Sequence, residues 1–206
     1  MQQEKPNPIT LVLGGVRSGK SSYAQRLAEQ AVAVTFIATA ERREDEEMQR
    51  KIDRHIAARP SEWTTIEEPL DLAGVLRRAG PAQTLLIDCL TLYAANLLEV
   101  HGGDQAAQQY AVDGLCAALE NVACPVILVS NEVGSGVVPA YALGRCFRDL
   151  VGEINQRVAA IADCVVLMVS GLPLPLKGQP AAMHAAVQPD VESRLAALAR
   201  ERAVAQ

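Results

Sequence analysis

Short apolar runs recur along the chain, each closed by glycine or a polar residue, and between them apolar positions fall at helical spacing. Residues 9–13 are such a run and end in glycines, which predicts a strand and then a turn. Residues 19–31 have a helical pattern, and 35–39 read as a second short strand. Over 44–59, Met48, Ile52 and Ile56 stand four apart, the spacing of an amphipathic helix. Pro60 ends it, because the residue before a proline is pushed out of the helical region. The pattern predicts a brief strand over 63–66, a helix over 70–79 and a strand over 84–88. Residues 89–100 and 105–121 are helical and separated by Gly102 and Gly103. Residues 125–130, apolar up to the closing Ser130, and 165–169 read as apolar strands. Between them, 140–161 carries a helical stripe of Phe147, Leu150, Val151, Ile154, Val158 and Ile161.

Strands that are apolar on both faces and alternate with helices imply a parallel sheet covered on each side. Beyond Lys177 the pattern changes. Residues 178–189 read as a linker and 191–202 as an amphipathic helix with Leu195 and Leu198 on one side, an accessory element. The expected organisation is an N-terminal extension over 1–8, one folded domain over 9–177, and a C-terminal linker and helix over 178–206.

Composition narrows the class. Of 206 residues, 50% are apolar and 21% charged, which is globular and not disordered. The net charge of −5 leaves no basic footprint for general nucleic-acid binding. No stretch reaches the roughly 18 uninterrupted apolar residues of a membrane span; the run over 164–176 is broken by Gly171, Pro173 and Pro175. Glu4 and Lys5 stand where a secretory signal would need an apolar core. Cys89, Cys116, Cys124, Cys146 and Cys164 are scattered among apolar neighbours without a C-x-x-C pair. They read as buried thiols in a reducing cytoplasm, not as a zinc site.

Gly14-Gly15-Val16-Arg17-Ser18-Gly19-Lys20-Ser21 matches G-x-x-x-x-G-K-[ST] between a predicted strand and a predicted helix. Glycines let backbone N–H groups curl around phosphate oxygens, and the helix N-terminus adds its positive end. Lys20 reaches the β- and γ-phosphates, and the Ser21 hydroxyl can ligate Mg²⁺. A partner carboxylate is expected at the end of another strand. Asp88 ends the run Thr84-Leu85-Leu86-Ile87-Asp88, at the edge where ligands sit in such sheets. Asp88 therefore reads as a second magnesium ligand, or as the N-cap of the helix that begins beside it.

Three histidines remain. His101 lies beside two glycines and reads as a loop residue, and His184 falls in the tail linker. On the predicted helix over 44–59, Lys51, His55 and Arg59 stand on successive turns of one side. Two flanking cations favour the neutral, nucleophilic imidazole. Its attack on an α-phosphate would give a covalent phosphoramidate and split one transfer into two. From spacing alone, the simpler reading is a basic, solvated helix face with one histidine in it.

These segments together resemble one family. The phosphate loop, Phe36-Ile37-Ala38-Thr39-Ala40, then Asp45, Glu46, Glu47, Met48, Ile52, His55, Arg59, Pro60 and Trp63 are similar to the adenosylcobinamide kinase/adenosylcobinamide-phosphate guanylyltransferase family. So are Val129-Ser130-Asn131-Glu132-Val133-Gly134, Gly136-Val137-Val138-Pro139, Arg145 to Asp149 with Asn155 and Gln156, and Val169-Ser170-Gly171. The resemblance spans roughly residues 9 to 177. It implies an α/β P-loop NTPase (RecA-like) domain, a mostly parallel sheet with helices on both faces in three layers.

The resemblance further implies two late steps of adenosylcobalamin assembly. The hydroxyl of adenosylcobinamide's aminopropanol arm is phosphorylated by ATP or GTP, and GMP then passes from GTP onto adenosylcobinamide phosphate. The family's guanylylated histidine falls on His55, with Lys20 as the other catalytic residue. Its nucleotide contacts fall on residues 14–21, on Ala38, Thr39 and Ala40, on Ile56, Ala57, Ala58 and Arg59, on Glu67 and on Asp88. Mg²⁺ is implied at Ser21 and Asp88, and a homotrimer with a cleft between subunits. Ile56 stands where the family often has arginine, and Asp88 where it often has glutamate. Asn131 and Glu132 could position substrate amides or the hydroxyl, or simply form a turn. Arg145 and Arg148 read most simply as salt-bridging. No N-K-x-D guanine-reading pattern occurs. The competing readings are a kinase of another small alcohol and a non-catalytic nucleotide switch acting through the tail.

Overall fold

The computed structural model describes residues 7–40 and 60–178. Seven strands form one sheet: β1 (Ile9–Gly14), β2 (Val34–Ala38), β3 (Thr64–Glu67), β4 (Thr84–Asp88), β5 (Val126–Asn131), β6 (Cys164–Val169) and β7 (Leu172–Lys177). Their spatial order is β3-β2-β4-β5-β1-β6-β7. All neighbouring pairs are parallel except β6 with β7. The helices described are α1 (Lys20–Ala28), α2 (Leu72–Arg78), α3 (Leu90–His101), α4 (Gln105–Glu120) and α5 (Ala142–Ile161).

The strands divide their side chains between two cores with period two. Ile9, Leu11, Leu85, Ile87, Val126 and Leu128 pack into a large core with α2, α3, α4 and α5. Val12, Leu86, Ile127, Val129, Val166 and Met168 face the other way, against Tyr23, Ala24 and Ala28 of α1. Both faces of the central strands are thus buried, which is why they read as continuous apolar runs. The stripe expected over 140–161 lies as predicted. Leu150, Val151, Ile154 and Val158 are buried, and Phe147 and Ile161 pack partly against them.

Three local readings need correction. β7 was not anticipated, because Pro173 and Pro175 break its apolar run. Proline cannot donate to a ladder, but among the described residues β7 is an edge strand paired with β6 alone, where that donor is expendable. Ser170 and Gly171, both with positive φ, make the two-residue turn between them. His101 is not in a loop but is the last residue of α3. Cys146 is exposed on α5, while the other four cysteines are buried. At the end of β7, Lys177 Nζ donates to the carbonyls of Ala159 and Ala160 in the last turn of α5. A cation there meets the negative end of the helix.

Candidate functional site

The carboxyl ends of the strands bring the expected site residues to one edge. Gly14 ends β1 in register with Asn131 of β5 and Met168 of β6. Ala38 ends β2 in register with Asp88 of β4 and Glu67 of β3. The phosphate loop, Ala38, Glu67 and Asp88 therefore share this edge, although β5 stands between β4 and β1.

Residues 14–21 leave β1 and enter α1 directly. Gly15, Val16 and Arg17 are exposed at the tip, and Ser18 is buried beneath it. Gly19 is the N-cap of α1, left-handed at φ 93°, with no side chain bonded to the helix end. The amino-terminal N–H groups of α1 are thus not occupied by a capping side chain and suit an anion. Lys20 Nζ lies 3.3 Å from the Gly15 carbonyl, folded over the loop it serves. Ser21 is half-buried in the first turn of α1.

The turn between β6 and β7 braces this loop, a contact the sequence reading missed. The Gly171 N–H donates to the Ser18 carbonyl at 2.9 Å. A Cβ on Gly19 would come within 3.3 Å of the Gly171 Cα. The available signal was the Ser170-Gly171 dipeptide between two apolar runs, a turn signature outweighed by the prolines that follow.

Thr39 sits at the site, but its side chain is committed inward. It is fully buried, and its hydroxyl donates to the Cys89 carbonyl and accepts from the Cys89 N–H, each at 2.7 Å. Asn96 Nδ2 donates to the Thr39 carbonyl at 2.9 Å. These bonds tie the end of β2 to the start of α3. Asp88 is half-buried just ahead of that helix. The N-cap position of α3 falls on Cys89, one residue past Asp88, and the Cys89 side chain makes no cap bond. The Asp88–Cys89 peptide bond is cis. Burial, and then the Asp88 charge, push the Cys89 thiol up to about 11, so it carries no thiolate chemistry near neutrality.

Beyond β5 the chain is held from several sides. The Asn131 N–H donates to Thr91 Oγ1 at 2.7 Å, and Asn155 Nδ2 donates to the Asn131 carbonyl at 3.0 Å. The Glu132 N–H donates to the Gly14 carbonyl, joining this loop to the phosphate loop. Glu132 Oε1 accepts the Gly134 N–H at 2.7 Å and closes a turn. Arg148 pairs with Asp149 as the salt-bridge reading expects, whereas Arg145 bonds the backbone carbonyls of Pro139 and Ala140. His55, Ile56, Ala57, Ala58 and Arg59, with Lys51, lie outside the described residues.

Comparison with known proteins gives a consistent answer. A family model described as cobinamide kinase / cobinamide phosphate guanyltransferase matches residues 10–176. The chain is 46% identical over 172 residues to the bifunctional adenosylcobalamin biosynthesis protein CobP of Pseudomonas aeruginosa, covering 82% of this chain and 98% of that one. It is 41% identical over 182 residues to the bifunctional adenosylcobalamin biosynthesis protein CobU of Salmonella typhimurium, covering 82% and 99%. Among solved structures it is similar to the assembled ATPase EscN of an enteropathogenic E. coli type III secretion system. That likeness has a TM-score of 0.55 at 15% identity, over 87% of this chain and 49% of that one. A prototypical ATPase of a pathogen's type III secretion system gives a TM-score of 0.52 at 14% identity, over 87% and 62%. This chain spans less than two thirds of either ATPase, and those likenesses bear on the fold alone, that of a P-loop nucleoside triphosphatase.

Proposed function

The chain belongs to the cobinamide kinase / cobinamide phosphate guanyltransferase family, and we propose that it performs both reactions on adenosylcobinamide through Lys20, Asp88 and His55. The observation that carries this reading is the phosphate loop, its helix end free of a capping side chain, at one sheet edge with Asp88 and Glu67.

In the kinase step the acceptor hydroxyl attacks the γ-phosphorus of a bound nucleoside triphosphate, ATP or GTP. The bond from that phosphorus to the β-γ bridging oxygen breaks, and the diphosphate leaves. Backbone N–H groups of residues 15–20 and the Lys20 ammonium meet the charge that develops on the phosphate oxygens. Ala38, Ala40, Glu67 and residues 56–59 contribute to nucleotide binding in this reading. Thr39 does so by fixing the β2 end, its hydroxyl being bonded to the Cys89 backbone and not to the nucleotide.

Ser21 and Asp88 offer a hydroxyl and a carboxylate, oxygen donors that suit a hard dication such as Mg²⁺. No cluster of three or more His, Cys, Asp or Glu fit to hold a metal occurs among the described residues. Phosphate oxygens and water would therefore complete its shell, as is usual for this ion. Mg²⁺ supplies neutralisation of phosphate charge.

In the second step a nitrogen of the neutral His55 imidazole attacks the α-phosphorus of GTP, and pyrophosphate leaves. The phosphate of adenosylcobinamide phosphate then displaces the imidazole from that phosphorus, giving adenosylcobinamide-GDP. The nucleophile makes sense of a histidine between Lys51 and Arg59 that a plain kinase does not require.

The family match over 10–176 supports a catalytic domain over 9–177 flanked by accessory termini. The reading is of a cytoplasmic homotrimer that takes small-molecule substrates and no nucleic acid; no described helix is long and apolar enough to cross a membrane. Incubation with adenosylcobinamide, ATP or GTP, and Mg²⁺ tests the whole. Adenosylcobinamide phosphate and then adenosylcobinamide-GDP are expected. No product from this corrinoid would favour a kinase of another alcohol, and slow hydrolysis alone a nucleotide switch.

A further inference from the structure

The loop that leaves the carboxyl end of β5, the sheet edge that also carries the phosphate loop, exposes large apolar side chains. Val137 is 96% exposed, Val138 58%, Tyr141 68% and Leu143 63%, four within seven positions. Residues 133–144 contain no Asp, Glu, Lys or Arg. Such a group of apolar side chains marks a surface that meets a partner.

The loop is built, not slack. Arg145 Nη1 donates to the carbonyls of Pro139 and Ala140 at 3.0 and 2.8 Å. A Cβ on Gly144 would meet the Tyr141 ring at 2.7 Å and Pro139 Cβ at 2.8 Å, so both residues lie close over that glycine. At its other end the Glu132 N–H is bonded to the Gly14 carbonyl, the first residue of the phosphate loop.

From these observations we infer that residues 137–143 seat the corrin macrocycle of the acceptor, with Val137, Val138 and Tyr141 against its hydrocarbon surface. The inference rests on the function proposed above. The acceptor hydroxyl must reach the γ-phosphate at residues 14–21, and it hangs from the macrocycle on a short aminopropanol arm. The macrocycle must therefore dock at this same sheet edge, on a surface continuous with the phosphate loop. The methyl and methylene groups on the macrocycle's surface suit an apolar seat, which this loop offers, while the ring's side-chain amides carry no charge to be paired and keep their hydrogen bonds to water or loop carbonyls. Because these side chains stand in solvent and not in the core, replacing them leaves the fold intact.

The test uses the full chain with Val137→Asp, Val138→Asp and the conservative Val137→Ile. The readouts are KM for adenosylcobinamide in the kinase step, Kd for GTP, and sedimentation velocity. Each aspartate variant should raise the corrinoid KM by roughly tenfold to a hundredfold, the loss of one buried valine. GTP affinity and sedimentation should be unchanged, and Val137→Ile should behave as wild type. Unchanged corrinoid KM, or an equal loss of GTP affinity, would overturn the site. A change in sedimentation would also overturn it and make this face a contact between copies of the chain. If the wild type fails to phosphorylate adenosylcobinamide at all, the proposed function falls and takes this site with it.

Discussion

The backbone N–H of Gly171 is bonded to the carbonyl of Ser18 at 2.9 Å, so the turn of an edge hairpin is fastened to the middle of the phosphate loop. Gly171 has φ +82°, and a Cβ there would meet nothing within 4 Å. Gly171→Ala therefore isolates backbone strain, about 1–2 kcal/mol for a left-handed alanine. We expect the nucleotide KM to rise about tenfold in both reactions. Gly171→Asn, which tolerates that conformation better, should fall between alanine and wild type. Steady-state kinetics beside a thermal melt decide the matter. A lowered Tm with an unaltered KM would leave the turn as scaffold only.

Asp88→Asn tests the metal assignment. The N-cap position of α3 is Cys89, and an amide at position 88 can accept the same backbone bonds as the carboxylate. The amide keeps the shape but loses the charge that favours a dication. Both reactions should fall and should require more Mg²⁺, with Tm unchanged. Rates measured across a magnesium titration check this; superimposable curves for variant and wild type would exclude Asp88 as a ligand.

His55→Ala should abolish GMP transfer and leave phosphorylation of adenosylcobinamide largely intact, since the γ-phosphoryl group moves without an enzyme nucleophile. Intact mass and peptide mapping after GTP and Mg²⁺ should find GMP on His55, labile to acid and stable to base. Lys20→Ala should not label and should slow both reactions by about a hundredfold to a thousandfold. An adduct that persists in His55→Ala would remove that residue from the mechanism.

Arg157 predicts a pH effect on stability. Its guanidinium lies 2.7 Å from the Asp113 carboxylate, and that bond, followed by one from Gln109, holds the carboxyl below its ordinary range. A carboxyl lowered in the fold stabilises it above the unfolded value, about 3.9. That stabilisation is lost as pH falls through the folded value. Arg157→Met should therefore flatten the acid limb of Tm against pH. Both side chains meet solvent, so the difference should be small and should shrink towards 1 M salt, where the screening length falls to about 3 Å. A salt-independent difference would point to lost packing instead.

Much of this architecture was legible because burial on both faces writes itself into composition. Residues 84–88 and 125–130 read as strands and are strands to within a residue, since both cores demand apolar side chains there. The phosphate loop was legible because its chemistry fixes residue types at fixed positions. β7 was not, because an edge strand has one partner and tolerates the prolines that would exclude a central one. The inward commitment of Thr39 was also hidden, because a threonine at a strand end reads the same whether it bonds a ligand or the Cys89 backbone. The place of Arg145 was hidden for a related reason. Sequence suggests carboxylate partners for an arginine, and here carbonyls of the preceding loop take that role.

The sheet order has a consequence for how the protein is made. Ile9 of β1 pairs with Val126, and Thr10 pairs with Cys164. β1 therefore has no neighbour in the sheet until β5 has been synthesised, and it lacks its second until β6 follows. β2 and β4 can pair well before that. Contacts so distant in sequence form slowly, because the chain between them must be closed first. Nascent chains should consequently acquire nucleotide affinity only when β6 has emerged, and until then β1 is an apolar strand that a chaperone can hold. Truncation anywhere before residue 164 would deprive the phosphate loop of one supporting strand, however complete its own sequence.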